Sequence, residues 1–147
     1  MLYFDTSFLT PLILVEPTSS QIQRFFRRKR TDQLAISHWT RVEFSSVLAR
    51  HVRMGSLTRQ AALRADAQFE TVADESFTVL SPPSAAEFNL AKAYLQRYRT
   101  GLRAGDALHL AIASNHGARV IYTLDERMRR AGKTLQLPVR AGISLSR

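Results

Sequence analysis

Cysteine is absent from this 147-residue chain, which excludes disulfides and thiolate metal ligands and leaves the redox compartment unread. No apolar run approaches the roughly 18 residues that a membrane-spanning helix needs. The N-terminal segment Met1-Leu2-Tyr3-Phe4-Asp5 carries no basic leader before its acid. A soluble cytoplasmic protein with no membrane partner is the expectation. Repeats, low-complexity tracts and linkers are also missing, so one domain over residues 1–147 is expected. Lysine is scarce: only Lys29, Lys92 and Lys133 interrupt the arginines among 21 basic residues, which face 12 acidic ones for a formal charge of +9. Arginine grips phosphate in a bidentate fork and stacks on bases, so this excess suits RNA or DNA, although codon usage favouring Arg over Lys gives the same composition.

With 45% hydrophobic residues, the chain can bury a core, and its apolar segments alternate in type. Leu2-Tyr3-Phe4 reads as a short buried strand leading into an apolar helix from Ser7 to about Val15. Pro17-Thr18 restarts the helix with Thr18 as N-cap, and that helix is expected to end in the basic run Arg27-Arg28-Lys29-Arg30. Leu34 to Ser37 is a second strand. A helix from Thr40 to a stop at Gly55 and another opening at Thr58 follow. Phe77 to Leu80 alternates as a third strand, which Pro82-Pro83 ends. A helix from Ser84 to about Tyr98 and an apolar helix from Ala104 to His116, closed by Gly117, come next. Arg119 to Thr123 is a fourth strand, Glu126 to Ala131 a short helix stopped by Gly132, and Val139 marks a last short strand. Strands alternating with helices, without hairpin signals, predict an α/β domain with a parallel sheet.

Four carboxylates stand at the joints of this pattern. Asp5 directly follows the first strand and Asp125 the fourth; in an open parallel sheet the carboxyl ends of strands share the ligand-binding edge. Glu43 and Asp106 fall in the first turns of helices expected to pack on that sheet. Asp106 lies in the nearly all-apolar Gly105-Asp106-Ala107-Leu108-His109-Leu110-Ala111-Ile112-Ala113, where a carboxylate costs several kcal/mol unless a cation, hydrogen bonds or a raised pKa compensates it. Taken singly, Asp5 and Asp125 read as N-caps, and Glu43 and Asp106 as partners of a helix dipole. Those readings give no reason for all four to fall on one face. Mg²⁺ and Mn²⁺ prefer hard oxygen ligands from a few carboxylates and keep several waters, and such a site can activate water and polarise a phosphodiester. Ser7 and Thr123, each two residues from an acid, could bind a metal water or orient a carboxylate.

The segments Leu2-Tyr3-Phe4-Asp5-Thr6-Ser7, Thr40-Arg41-Val42-Glu43, Arg103 to Ala111 and Tyr122-Thr123-Leu124-Asp125 resemble, in order and spacing, the four acidic motifs of PIN-domain ribonucleases, and most closely the VapC-type toxins of type II toxin–antitoxin pairs. The resemblance implies a three-layer α/β/α sandwich with a central parallel sheet of four to five strands and Mg²⁺- or Mn²⁺-dependent endoribonuclease activity leaving a 5′-phosphate. It also implies a frequent homodimer and a cognate antitoxin that covers the acidic site. Carried over by position, Asp5, Glu43, Asp106 and Asp125 would be the catalytic metal ligands, with Thr123 at the hydroxyl position before the last acid. Similar domains also serve as housekeeping nucleases.

Other residues are less telling. His109, three residues after Asp106, has a spacing that can make a metal pair, but its flanking leucines favour a packed, hydrogen-bonded histidine. Arg103, Arg127, Arg129 and Arg130 flank the predicted site and are the RNA-binding candidates. The run Arg27 to Arg30 could track an RNA backbone or be a solvated helix end. Trp39 and Tyr98 could stack on bases, with core or dimer packing the plainer reading. Haloacid-dehalogenase-like phosphatases would want an acid where Ser7 stands, and a receiver domain an acceptor Asp after the third strand. A non-catalytic basic nucleic-acid-binding module fits the charge but leaves the four acids unexplained.

Overall fold

The computed structural model describes residues 1–145. Five parallel strands, β1 (Leu2–Phe4), β2 (Leu34–Ser37), β3 (Thr78–Leu80), β4 (Val120–Tyr122) and β5 (Val139–Arg140), form one sheet in the order β3-β2-β1-β4-β5. The connecting helices are α1 (Thr6–Ile13), α2 (Ser19–Phe26), α3 (His38–Arg53), α4 (Arg59–Ser76), α5 (Ala85–Leu95), α6 (Ala104–Asn115) and α7 (Glu126–Thr134). The predicted α/β architecture with helices on both faces of a parallel sheet is what the chain adopts.

Strand alternation divides the core. Leu2, Phe4, Leu34, Ile36 and Tyr122 face one side and pack with Phe8, Ile22, Phe44 and Phe69 of α1 to α4. Tyr3, Ala35 and Ile121 face the other and pack with Leu110, Ile112 and Met128 of α6 and α7. The inner strands β1 and β2 are buried on both faces, as a parallel sheet with crossover helices requires, while the edge strands β3 and β5 are partly exposed. On the first side the rings of Phe4, Phe8, Phe25, Phe26 and Tyr122 touch one another in tilted, stacked and edge contacts. Among the described residues no helix is long and apolar enough to cross a membrane.

Several boundaries differ from the sequence expectation for physical reasons. Thr18 occupies the cap position of α2, but its backbone is already helical and its side chain makes no cap bond; the Ser19 hydroxyl instead ties Leu14 O to Glu16 N. That helix stops at Phe26, so the basic run lies in the turn beyond it. Helix α3 begins at His38 rather than Thr40, because Ser37 and Thr40 form a reciprocal capping box. Glu43 therefore sits in the second turn, not the first, and its role as a dipole partner is withdrawn. Gly132 does not stop α7: it lies inside the helix, where a Cβ would stand 2.3 Å from Val139 Cγ2, so glycine is what lets α7 close on β5. Gly117, at φ +67°, does close α6 as expected.

Candidate active site

The crossover from β1 runs to β2 and the one from β4 runs the opposite way to β5, so the crevice between the ends of β1 and β4 is the topological switch point where open α/β sheets bind ligands. Asp5 and Asp125 lie there. Each is also an N-cap: Asp5 accepts from Phe8 N at 3.0 Å, and Asp125 from Met128 N at 2.7 Å. The cap reading and the placement at one sheet edge thus hold together, because both helices start at strand ends.

Two hydroxyls bind these strand ends to each other. Thr123 Oγ1 donates to Asp5 Oδ2 at 2.7 Å and accepts from Asp125 N at 3.0 Å. Ser7 Oγ donates to Asp5 Oδ1 at 2.8 Å and accepts from Leu124 N at 2.9 Å. Both hydroxyls therefore orient Asp5. Despite these donors, burial pushes the Asp5 carboxyl up to about 6, against the lowering effect of His109, Thr123, Ser7 and Phe8.

Glu43 reaches the same edge from α3. Its Oε2 accepts from Thr6 Oγ1 at 2.7 Å and stands 2.7 Å from His109 Nε2. Burial acts to raise this carboxyl, but the hydrogen bond and charge of His109 and the Thr6 bond outweigh it and hold it below its usual range. Asp106, in the first turn of α6, accepts from Arg103 N. Burial raises its carboxyl first, and the negative charges of Asp125 and Glu43 raise it further. Asp106 thus feels two of the other three acids. Among the described residues no three His, Asp or Glu side chains stand close enough to hold a metal ion as they lie. Each of the four carboxylates instead accepts a local hydrogen bond, from Phe8 N, Thr6 Oγ1, Arg103 N and Met128 N in turn.

His109 is the residue the sequence undervalued. It is packed and hydrogen-bonded as expected, yet its partners belong to the site. An ionised Glu43 only accepts, so Nε2 donates to it; on the other side of the ring, Tyr3 Oη lies 2.7 Å from Nδ1 and 2.8 Å from Ser37 Oγ. The chain Ser37–Tyr3–His109–Glu43 runs from the core to the site edge. Its sequence trace is a tyrosine in a strand otherwise made of Leu and Phe, and a histidine in an otherwise apolar helix. Burial drives the Tyr3 phenol well above its usual range, so it stays neutral. Replacing Tyr3 by Phe should leave His109 Nδ1 without its partner and cost about 1–3 kcal/mol in urea unfolding at pH 7.

The flanking arginines divide. Arg129 Nη1 donates to Leu124 O at 2.8 Å and so braces the loop carrying Asp125. Arg130 pairs with Glu126 at 3.3 Å, and Arg103 offers the site its backbone N–H. Tyr98 is 87% exposed, whereas Trp39 is half-buried beside Gly105.

A profile of the PIN domain family matches residues 2–134. The chain belongs to the PIN-domain family. Its fold is similar to that of VapC20 from Mycobacterium tuberculosis, a sarcin–ricin loop cleaving toxin, at 21% identity and a TM-score of 0.71 over 90% of this chain and 95% of that one. FitAcB from Neisseria gonorrhoeae gives 14% identity and a TM-score of 0.65, covering 97% of this PIN domain and 98% of that chain. VapBC-1 from nontypeable Haemophilus influenzae gives 18% and 0.64 over 97% and 98%. Comparison with curated sequences finds no match.

Proposed function

We propose that this PIN protein is an endoribonuclease that depends on Mg²⁺ or Mn²⁺, and that it is the toxin half of a toxin–antitoxin pair. The observation that carries the nuclease reading is the group of buried and part-buried carboxylates around the β1/β4 switch point, where Asp106 feels the charges of Asp125 and Glu43, in a protein with charge +9. The toxin reading rests on the VapC resemblance of the four motifs, and the fold likeness to VapC20 and VapBC-1 is consistent with it. A cognate antitoxin and a homodimer are part of the same proposal.

The donor set suits a hard cation: four carboxylates, with Asp5 and Asp106 raised by burial, and no sulfur. Gly105 points the same way, since a Cβ there would meet Glu43 Oε1 at 2.6 Å; the bare backbone leaves room for Glu43 beside the first turn of α6. Asp5, Glu43, Asp106 and Asp125 would hold the ion. When bound, it would supply a Lewis acid for the phosphate and a water of lowered pKa. The remaining work belongs to the chain. Thr123 and Ser7 fix the Asp5 carboxylate, Thr6 and His109 fix Glu43, and Arg129 steadies the Asp125 loop. The acids repel the phosphate at the cleavage point until a cation neutralises them, while basic residues elsewhere on this chain of charge +9 can hold RNA without metal.

The test is incubation of total cellular RNA with purified protein in Mg²⁺, in Mn²⁺ and in EDTA. Discrete cuts that require metal support the reading; RNA bound but never cut gives way to the non-catalytic binding module. Gly105→Ala adds a graded check. Its methyl must displace Glu43 while improving helix propensity by about 0.5–1 kcal/mol, so little net change in melting temperature should accompany a roughly tenfold or greater loss of cleavage. Unchanged cleavage would remove Glu43 from the site.

A further inference from the structure

The basic turn after α2 is not used by the acidic site, yet it lines the wall of a concavity. Arg24, Arg28 and Lys29 surround a cavity of about 420 Å³ whose floor is Phe25 and Tyr122 and whose far side is the segment at Gly142. Gln21, Arg24 and Phe25 share one stripe of α2, and the turn beyond its end, held by Arg28 N to Phe25 O and Lys29 N to Phe26 O, brings Arg28 and Lys29 beside them. Lys29 Nζ sits 4.8 Å from the Phe25 ring centroid. Gly142, at φ +71°, lets the chain press on the floor, because a Cβ there would stand 2.7 Å from Tyr122 Cδ1.

Among the described residues none of these three cations has a carboxylate within ion-pair distance. Other arginines are unpaired too; what sets this group apart is convergence on one cavity, where like charges raise one another's energy until an anion enters. Position relates the cavity to the acids. Tyr122, in its floor, is followed by Thr123, which holds Asp5, and the Phe25 ring packs 5.0 Å from Phe8, whose N–H caps Asp5.

We infer that this cavity is an RNA subsite that grips the backbone of a nucleotide neighbouring the one at the acids. A volume of this order accommodates a small organic ligand rather than a bare anion, and an arginine-dominated rim suits phosphate. The inference rests on RNA being the substrate, and its test is separable from cleavage.

In EDTA, where no cutting is read, the wild-type protein and a variant carrying Arg24→Gln, Arg28→Gln and Lys29→Gln are titrated into a fluorescently labelled single-stranded RNA at several salt concentrations. A control carries the same charge change on α3 and α4 at the exposed Arg50, Arg53 and Arg59. The cavity variant should bind at least about tenfold more weakly, with a salt slope shallower by about 2 for three lost phosphate contacts, while the control keeps most of its affinity. Equal losses in both variants, retained affinity in the cavity variant, or no RNA binding by wild type would each overturn the inference. Should the triple variant fail to fold, acetylation of the wild type decides. RNA should shield Lys29 while Lys92 and Lys133 stay reactive, and no selective shielding defeats the subsite. Selective binding without metal-dependent cuts would leave the subsite standing and remove only the nuclease reading.

Discussion

Asp106→Asn should lower metal-dependent RNA cleavage by at least about 10³-fold while leaving the protein folded and able to bind RNA. The magnitude follows from losing one charged ligand at an ion whose contribution to transition-state stabilisation is several kcal/mol, at about 1.4 kcal/mol per tenfold in rate. The fold is spared for reasons visible around the residue. Asparagine keeps an oxygen for the Arg103 N–H, and removing the charge relieves repulsion from Asp125 and Glu43. Cleavage assays beside circular dichroism and RNA titration check it. A folded variant that cuts at the wild-type rate would refute the acidic-site mechanism.

The second large effect is on stability and changes sign with metal. The Asp5 carboxyl is raised from 3.8 to about 6 by burial. A raised acid favours the folded state only while protonated, so its penalty is absent below about pH 4, grows as pH rises to about 6 and is complete above that. A rise of this size corresponds to roughly 3 kcal/mol, of which a lost hydroxyl hydrogen bond in Asp5→Asn takes back about 1. Metal-free Asp5→Asn should therefore be more stable than wild type by about 2 kcal/mol at pH 8, and no more stable below pH 4. Taking the difference between the two proteins cancels the titrating groups that do not interact with Asp5. Saturating Mg²⁺ or Mn²⁺ should then reverse the order, since an ion at 100 times its dissociation constant stabilises the binding-competent fold by about 2.7 kcal/mol. Urea unfolding of both proteins at pH 4 and pH 8, with and without metal, reads all of this. Equal stabilisation of both by metal would place the ion elsewhere.

Much of the molecule was legible in the residue pattern because its signals are local. Three-residue apolar strands, Gly117 and the caps at Asp5 and Asp125 declare themselves within a few positions. The pairing of Asp5 with Thr123 was partly legible, through the rule that parallel strand ends share an edge. What escaped depended on distant partners. Gly132 looks like a helix stop until Val139 is known to press on it, and Glu43 looks like a first-turn residue until the Ser37–Thr40 box moves the helix start. Tyr3 and His109 are 106 positions apart, and no periodicity announces a hydrogen bond over that distance. The cavity beside α2 is another such case: its cations lie within one six-residue stretch, but part of its floor comes from β4 and its far wall from the segment after β5.

The central position of β1 has a consequence during synthesis. Strand β1 waits between β2, which follows soon, and β4, whose Thr123 is 118 positions away from the Asp5 it must hold. A polypeptide still emerging from the ribosome owns Asp5 and Glu43 before Asp106 and Asp125, and cannot close the edge until β4 and Thr123 have been made. A nuclease of the proposed kind is made while its own messenger is being read, and the strand order delays completion of its site until the codons of β4 and Asp125 have been translated.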